Sequence, residues 1–530
     1  MWVVVERKDF STLKYQIEVE IEGDCISCTP LYSNLPVTQP PYACNTAVNT
    51  TGVTNFDSAW SECDALVEFP CLNTSAGTSF YHSWDECTGL TSFPKLDLSS
   101  GTNFSYAWRS CTGLTSFPEL CPLSSGTNFS YAWGGCTGLT SFPALDLSSG
   151  VNFLQAWGGC TGLTSFPLLD VSSGVNFEGA WDYCTGLTSF PVLDLSSGVN
   201  FLQAWSSCTG LTSFPALDLS SGTDFTRAWF NCTGLTEFPL LDVSSGVNFE
   251  EAWDNCPSLT EFPALDVSSG TSFNSAWSSC TSLTSFPVLD VSNGVDFDRA
   301  WYDCTGLTSF PVLDVSSGVN FAETWVNCTG LTSFPALDLS SGTNFRRAWD
   351  NCTGLTEFPA LDVSSGVNFE QAWYYCTGLT SFPVLDVSSG TNFTNAWDNC
   401  TSLTSFPLLD VSSGVSFYEA WTDCTGLTSF PALDVSSGVN FINAWSDCTG
   451  LTSFPAGVFD TCTATAFNGA WFNCALTEAS VDNILVSLDT AGQSNGTVNL
   501  DGGTSAAPGT AGLAAKASLI GKGWTVTHNS

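Results

Sequence analysis

Aspartate is the residue whose spacing in this chain most directly suggests chemistry. Fourteen aspartates recur in register, first Asp97 and then one every 24 residues from Asp146 to Asp434. If successive copies stack like parallel strands, their carboxylates lie ~4.8 Å apart and repel by roughly 0.9 kcal/mol in water. Ca²⁺ accepts several oxygen ligands in flexible geometry and would relieve this repulsion. The candidate ligands of such a calcium ladder are Asp146, Asp170, Asp194, Asp218 and Asp242.

A second interpretation of these aspartates needs no metal. Most of them precede a Ser-Ser-Gly turn, and an aspartate commonly accepts hydrogen bonds from its own turn. We favour this structural interpretation. Calcium is the one cofactor that the sequence suggests, and it stays an alternative.

Cysteine recurs with the same 24-residue period. Of the 24 cysteines, 18 belong to the repeat, and their periodic rather than paired spacing favours buried thiols over a disulfide framework. Disulfides between neighbouring copies stay an alternative. Cysteines in a line with almost no histidine do not indicate a tetrahedral metal site. Cys25 and Cys28 lack a second pair, which favours plain thiols or a structural disulfide there.

The elements that must position these side chains are copies of one unit, exemplified by residues 160–184. The repeat cysteine occurs 18 times, from Cys63 to Cys474, with a tryptophan three residues before each. Such a period indicates a solenoid, in which each unit buries its apolar face only by stacking on its neighbours. With ~4.8 Å per coil, 18 coils would form a rod roughly 85–90 Å long.

Within one unit the pattern predicts two short strands, a turn and a short helix. The helix is predicted for 177–184, where apolar residues have the spacing i, i+3, i+4, i+7, with Asn176 as a reasonable N-cap. The strands are predicted on either side of Pro167, at 163–166 and 168–171, and the turn at 172–174, with glycine at a position of positive φ. The predicted core ladder of this unit is Cys160, Leu163, Phe166, Phe177 and Trp181.

Three regions follow from the repeat. Residues 1–50 are predicted to form a strand-rich cap or attachment module with strands at 2–5 and 15–21, and residues 51–474 the solenoid. Residues 475–530 are predicted to form an α/β cap with a helix near 476–488, a strand at 497–500, a helix at 511–520 and a strand at 524–527.

Four positions of the unit differ between copies: the two after the second phenylalanine and the two after the tryptophan. On the predicted helix these positions face outward, so they are either freely variable surface or a recognition surface. The candidate binding residues are Glu178, Asp182, Tyr183, Arg346, Arg347 and Asp350.

Charge and hydropathy narrow the function further. A formal charge of -40 argues against nucleic acid and against anionic membrane surfaces, which both attract lysine and arginine. No apolar run approaches the ~20 residues of a membrane-spanning helix, and the first residues lack the order of a signal peptide. An extracellular location would then need another export route or release on a virion. No catalytic constellation is evident, and a uniform repeat offers no unique pocket.

The pattern Cys-x-x-Leu-x-x-Phe, then Leu-Asp-Val-Ser, then Phe-x-x-Ala-Trp-x-x-Cys resembles the BspA-type leucine-rich repeat over about 51–474. It is most similar to the subclass found in bacterial surface proteins and marine phages, although Phe177-x-x-Ala180-Trp181 replaces that family's Met-x-x-Met-Phe. The resemblance implies a leucine-rich-repeat-like, right-handed β/α solenoid and a role in extracellular binding or adhesion, without catalytic residues. We therefore predict a non-enzymatic surface protein that binds a cell surface or glycan. The alternative is a subunit that self-associates into a filament.

Overall fold

The computed structural model describes residues 2–3, 19–21, 48–118 and 122–530. Contacts divide the chain into two compact units, Met1–Asn248 and Phe249–Ser530. In both units the repeat folds into stacked coils joined by isolated parallel bridges between equivalent residues, such as Asn152 with Asn176. No helix within the described ranges is long and apolar enough to span a membrane.

The segment predicted as a helix, 177–184, is instead a chain of tight turns. Its amides alternate: every second N–H donates to the next coil at 2.7–2.9 Å, while the amides of Ala180, Asp182 and Cys184 donate to the carbonyl three residues back. The donors to the next coil are Phe177, Gly179, Trp181 and Tyr183. Gly179 and Tyr183 both have a φ of 55°, in the left-handed region. A left-handed residue every fourth position interrupts an α-helix, so the helix prediction is wrong.

The two predicted strands at 163–166 and 168–171 are also not formed as continuous strands. In this part of the unit the described coils share isolated bridges, such as that between Asp146 and Asp170. Pro167 removes one amide from any ladder, which is the reason that pairing stays local. The backbone is nevertheless extended enough to alternate: Leu169 and Val171 are buried while Asp170 between them is exposed.

The turn at 172–174 is present, but its glycine is needed for space rather than for positive φ. The Gly174 amide donates to the Val171 carbonyl at 2.8 Å. A Cβ at Gly174 would lie 2.2 Å from the Phe177 ring, and Gly174 is not among the residues with positive φ. The expectation about φ is therefore corrected: the close approach of an aromatic ring excludes a side chain here.

The core consists of ladders that run from coil to coil within each unit. Trp181 stacks on Trp157 and Trp205 with ring centroids 5.6 and 5.5 Å away, and it contacts the Phe190 ring edge to face at 4.9 Å. Its indole N–H has no hydrogen-bond acceptor among the described residues, a cost that the buried ring area offsets. The five residues of the predicted core ladder are all buried.

The repeat cysteines are free thiols in this structure, and those from Cys87 to Cys474 are buried in the core. Cys184 Sγ donates to the carbonyl of Trp157, one coil back, at 3.2 Å. Burial raises the pKa of Cys184 well above its usual value. The protonated thiol is therefore held as a weak donor that links neighbouring coils.

The two ends of the chain use regular elements. Near the N-terminus, β1 (Trp2–Val3) pairs antiparallel with β2 (Val19–Ile21), which pairs antiparallel with β3 (Val48–Asn49). The pairing of two early strands agrees with the prediction, over shorter ranges. Cys25 and Cys28 lie outside the described residues.

At the C-terminal end, β4 (Ala466–Phe467), β5 (Thr497–Leu500) and β6 (Thr525–His528) form a parallel sheet in that order. Helices α1 (Glu478–Ala491) and α2 (Thr510–Gly521) precede β5 and β6 and pack against each other. The predicted succession of helix, strand, helix and strand is confirmed. The domain boundaries at 50 and 474 stay predictions.

Candidate binding face

The four variable positions of each coil lie in the turn segment, and we call their combined surface the variable face. Main-chain hydrogen bonds between coils hold these positions in register within each unit. The turn segment begins at an asparagine or a similar residue: the Asn176 side chain accepts from the Glu178 amide at 3.0 Å. Asn176 therefore caps a turn, as Asx residues do, rather than a helix.

Not every predicted binding residue faces outward. Glu178 is half-buried and Tyr183 is 57% exposed, whereas Asp182 and Asp350 are only 8% and 3% exposed. The expectation of an outward position is wrong for these two aspartates, which both follow the tryptophan directly. A turn segment directs that position back against the adjoining coils, whereas a helix would have turned it to solvent.

Arg346 and Arg347 belong to an ion-pair network around buried carboxylates. Arg346 contacts Glu323, which is 3% exposed, and Arg299 donates to the same carboxylate at 2.7 Å. Arg347 pairs with Asp350 at 2.8 Å. Burial raises the pKa of Glu323, but the hydrogen bond from Arg299 and the arginine charges outweigh it and leave the pKa below its usual value. The two predicted arginines thus balance buried carboxylates and are not free cations.

A second network in the same unit contains a carboxylate with a strongly shifted pKa. Asn395 donates to Asp398 at 2.8 Å and to Glu419 at 3.0 Å, and Asn443 donates to Glu419 at 3.1 Å. Burial raises the pKa of Asp398 to about 7, with Glu419 and Asp423 adding repulsion. Asp398 occupies the same buried position after the tryptophan as Asp350.

The largest group of surface aromatic rings described in the first unit was not singled out from the sequence. It consists of Tyr81, His82, Tyr106 and Tyr131, which we call the aromatic cluster. The His82 and Tyr106 rings stack with centroids 4.4 Å apart, and Tyr106 and Tyr131 stack at 4.7 Å. Tyr81 contacts His82 edge to face at 4.2 Å. The signal was available, because all four residues occupy variable positions of successive copies.

Charged groups adjoin the aromatic cluster. Arg109 lies over the Tyr106 ring at 5.3 Å and donates to Asp85 at 2.8 and 3.0 Å and to Glu86 at 2.8 Å. Burial raises the pKa of Asp85, but hydrogen bonds with His82 and Arg109 outweigh it, so the pKa lies below the usual value. The result is a fixed arrangement of rings, one guanidinium and two carboxylates.

The aspartates of the predicted calcium ladder are exposed and engaged with their own turns. Asp170 Oδ1 accepts from the Ser172 amide at 3.2 Å and from its hydroxyl at 2.7 Å, and Asp146 bonds Ser148 in the same way. The same contact to the serine two residues on is made by Asp194, Asp218 and Asp242. In the described part of the chain, no three His, Cys, Asp or Glu side chains converge on a metal position. The calcium ladder stays a prediction.

No protein-family model matches this sequence, and no curated protein sequence does either. Among solved structures, the chain is similar to a leucine-rich repeat protein from Bacteroides ovatus, with 15% identity, a TM-score of 0.34, and coverage of 86% of this chain and 88% of that chain. It is also similar to the functional domain of InlJ from Listeria monocytogenes, which includes a cysteine ladder, with 17% identity, a TM-score of 0.21 and coverage of 74% and 75%. The plant peptide hormone receptor RGFR1 in complex with RGF2 is similar at 14% identity, a TM-score of 0.23 and coverage of 89% and 87%. Likenesses this weak assign no function to the chain.

Proposed function

We propose that this protein is a non-enzymatic extracellular binding protein whose variable face recognises a cell-surface or glycan ligand. The observation that supports this function is the register of the variable positions. Hydrogen bonds between coils align side chains that differ from copy to copy, while the core beneath them stays nearly constant. Repeat proteins build extended binding surfaces in this way.

The proposal includes the finer architecture. The coils would form a right-handed, BspA-type leucine-rich repeat solenoid of 18 coils with caps at 1–50 and 475–530, as expected of a bacterial surface protein or a phage fibre component. The exposed tyrosines and half-buried polar side chains of the variable face suit a ligand that offers both apolar and hydrogen-bonding groups.

The test compares the full chain with a variant whose variable face is simplified. Tyr81, Tyr106, Tyr131 and Tyr183 are replaced by serine, and binding to intact cells of several types and to a glycan array is measured. A matched control replaces four exposed threonines of the Leu-Thr-Ser-Phe segments and their equivalents by serine: Thr140, Thr164, Thr188 and Thr236. We expect loss of binding only in the first variant. Equal binding by both variants would refute a role for the variable face.

Self-assembly into a filament is the second candidate function, and one feature of the C-terminal sheet favours it. Strand β6 lies at the edge of its sheet, and Leu513 and Ile520 of α2 are 51% and 54% exposed. An open edge strand can pair with another chain. Light scattering over a range of concentrations separates the candidates, since a monomer at every concentration excludes the filament.

A further inference from the structure

We propose that the aromatic cluster of the first unit is a binding site for an uncharged sugar, with Tyr81 as the stacking platform. This inference rests on the proposed function, because it names the ligand class and one site on the variable face. Three observations support it: the orientation of Tyr81, the polar groups at the cluster and the local balance of charge.

The orientation of Tyr81 follows from three distances. The centroids of Tyr81 and His82 are 4.2 Å apart, those of His82 and Tyr106 are 4.4 Å apart, and those of Tyr81 and Tyr106 are 6.1 Å apart. A triangle with these three sides has a nearly right angle at the His82 centroid. Tyr81 therefore lies beside the stack of His82 and Tyr106 and not on top of it. Its plane is turned by 72° and 79° from the His82 and Tyr106 planes.

A flat aromatic surface results from this arrangement. At 4.2 Å the Tyr81 ring is too close to His82 for an edge-to-edge contact, so one face of Tyr81 covers the edge of His82. Tyr81 is 41% exposed, and because one of its faces lies against His82, a ligand would stack on the opposite face. The Tyr81 amide also donates to Asp57 at 3.2 Å, which fixes the backbone that carries the ring. A rigid, outward aromatic face is the surface on which the C–H side of a pyranose packs.

Hydrogen-bonding groups lie at the Tyr106 side of the same cluster. Glu86 and Arg109 retain 46% and 32% of their side-chain exposure while they bond each other at 2.8 Å. The stacked Tyr106 ring lies under the Arg109 guanidinium and is half-buried. A sugar has hydroxyl groups around its ring and apolar C–H groups on its faces, so it needs donors and acceptors beside an aromatic plane. The cluster supplies both.

The charge of the site favours a neutral ligand over an anion. The guanidinium that contacts the cluster at Tyr106 belongs to Arg109, and Asp85 and Glu86 both bond it. An anionic ligand would meet a guanidinium already paired with two carboxylates, in a chain with a formal charge of -40. A cation could be attracted to the tyrosine rings, so a quaternary ammonium is the competing ligand that the test must include.

The experiment uses the full chain and three variants: Tyr81→Ala, Tyr81→Phe and, as a control, Leu168→Ala. Leu168 is 68% exposed in the same unit and lies outside the variable positions of its coil. The probes are neutral oligosaccharides on an array, sialylated and sulfated glycans on the same array, and choline in solution. We expect binding to at least one neutral oligosaccharide, a loss of about tenfold or more in Tyr81→Ala, and near-normal binding in the other two variants.

Each other outcome counts against the proposal in a distinguishable way. Unchanged glycan binding by Tyr81→Ala would place the ligand elsewhere on the variable face and leave the proposed function intact. Binding to cells without binding to any neutral glycan would reject the sugar but not the binding role, and displacement by choline would indicate a cation site. No binding to cells or glycans would reject both. Unaltered melting of Tyr81→Phe and Tyr81→Ala verifies that the variants fold.

Discussion

The repeat coils and the C-terminal region bury apolar side chains that have the same spacing in the sequence, but their backbone conformations differ. Both have apolar residues at i, i+3, i+4 and i+7, namely Phe177, Ala180, Trp181 and Cys184 in the coil, and Val481, Ile484, Leu485 and Leu488 in α1. The coil forms turns whose amides reach the next coil, whereas α1 forms a helix whose amides are satisfied internally.

Length and capping explain the difference. Helix α1 has 14 residues, the Thr477 side chain accepts from the Ser480 amide, and Gly492 ends the helix with a φ of 75°. The coil allows only about two helical turns between its core residues, which is too few for a stable helix. Hydrogen bonds to neighbouring coils satisfy its amides instead. Periodicity thus predicts which residues are buried, but chain length and neighbours decide the backbone.

Trp349→Ala tests the comparison with the largest expected effect. Trp349 stacks between Trp325 and Trp373 at 5.5 and 5.6 Å, so its removal leaves a cavity between two coils. We expect a loss of about 3–5 kcal/mol in the free energy of unfolding, measured by urea denaturation. The control Tyr375→Ala, at a 40% exposed position, should change stability by less than about 0.5 kcal/mol. A loss in Trp349→Ala as small as in the control would contradict a continuous core.

Gly174→Ala compares a glycine of the coil with a glycine of a helix. The new Cβ would overlap the Phe177 ring, and we expect a loss of roughly 1–3 kcal/mol. Gly521 is the last residue of α2, and a Cβ there would meet no atom within 4 Å. Gly521→Ala should therefore be neutral or stabilise by up to about 1 kcal/mol. Urea denaturation measures both, and equal effects would show that glycine in the coil is not required for space.

The pH dependence of stability tests whether the residue that follows the tryptophan is buried, as it is at Asp398. The pKa of Asp398 is raised to about 7 in the folded chain, while an aspartate in the unfolded chain titrates near its ordinary pKa of 3.8. Between these values the folded state holds a proton that the unfolded state has released, so stability falls as pH rises through this window.

Asp398→Asn should remove that fall, which we expect to be on the order of 1–2 kcal/mol. Asp410→Asn is the control: hydrogen bonds from Ser412 lower the pKa of the exposed Asp410 below its ordinary value of 3.8, so this carboxyl stays ionised above pH 4 and the fall should persist in the variant. Melting temperatures between pH 4 and pH 8 measure both variants. A wild-type chain whose stability is constant over this range would show that Asp398 is solvated, as it would be on a helix.

Glycine substitutions should change the stability of the protein in opposite directions in the coil and in α1. Gln371 has a φ of 56°, so Gln371→Gly removes the strain of a left-handed residue and should stabilise by about 1 kcal/mol. Val486 lies in the middle of α1 and is 42% exposed, so Val486→Gly should destabilise by a few tenths to about 1 kcal/mol. Thermal denaturation gives both signs, and destabilisation by both substitutions would favour a helical turn segment.

The sequence predicts more of the C-terminal region than of the coil backbone, for reasons visible in particular residues. Helix α1 and strand β5 are long enough for periodicity to determine their type. In the coil, the left-handed positions carry Gly179, Tyr183 and Gln371, and only the first of these is a typical left-handed residue. The contacts between coils that stabilise those positions are not readable from one copy of the repeat.

The candidate site shows the same limit. The period locates the variable positions, but it does not tell which of them a turn segment buries. Asp182 and Asp350 are therefore misplaced by a helical interpretation, and the stacking of His82 with Tyr106 depends on the distance between coils. The sequence thus predicts where diversity lies, while the geometry decides which diverse residues can meet a ligand.

Removal of calcium is expected to have the smallest effect, and it distinguishes the two interpretations of the aspartate ladder. Asp170 already accepts two hydrogen bonds from Ser172, and the equivalent aspartates contact their own serines, so each carboxylate has a structural role without a metal. We expect the melting temperature to be unchanged by a chelator. Asp170→Asn keeps a side-chain acceptor for Ser172 and should also be nearly neutral. A melting temperature that rises with Ca²⁺ and falls with the chelator would instead establish the ladder as a calcium site, because a ligand that binds only the folded chain stabilises it by mass action.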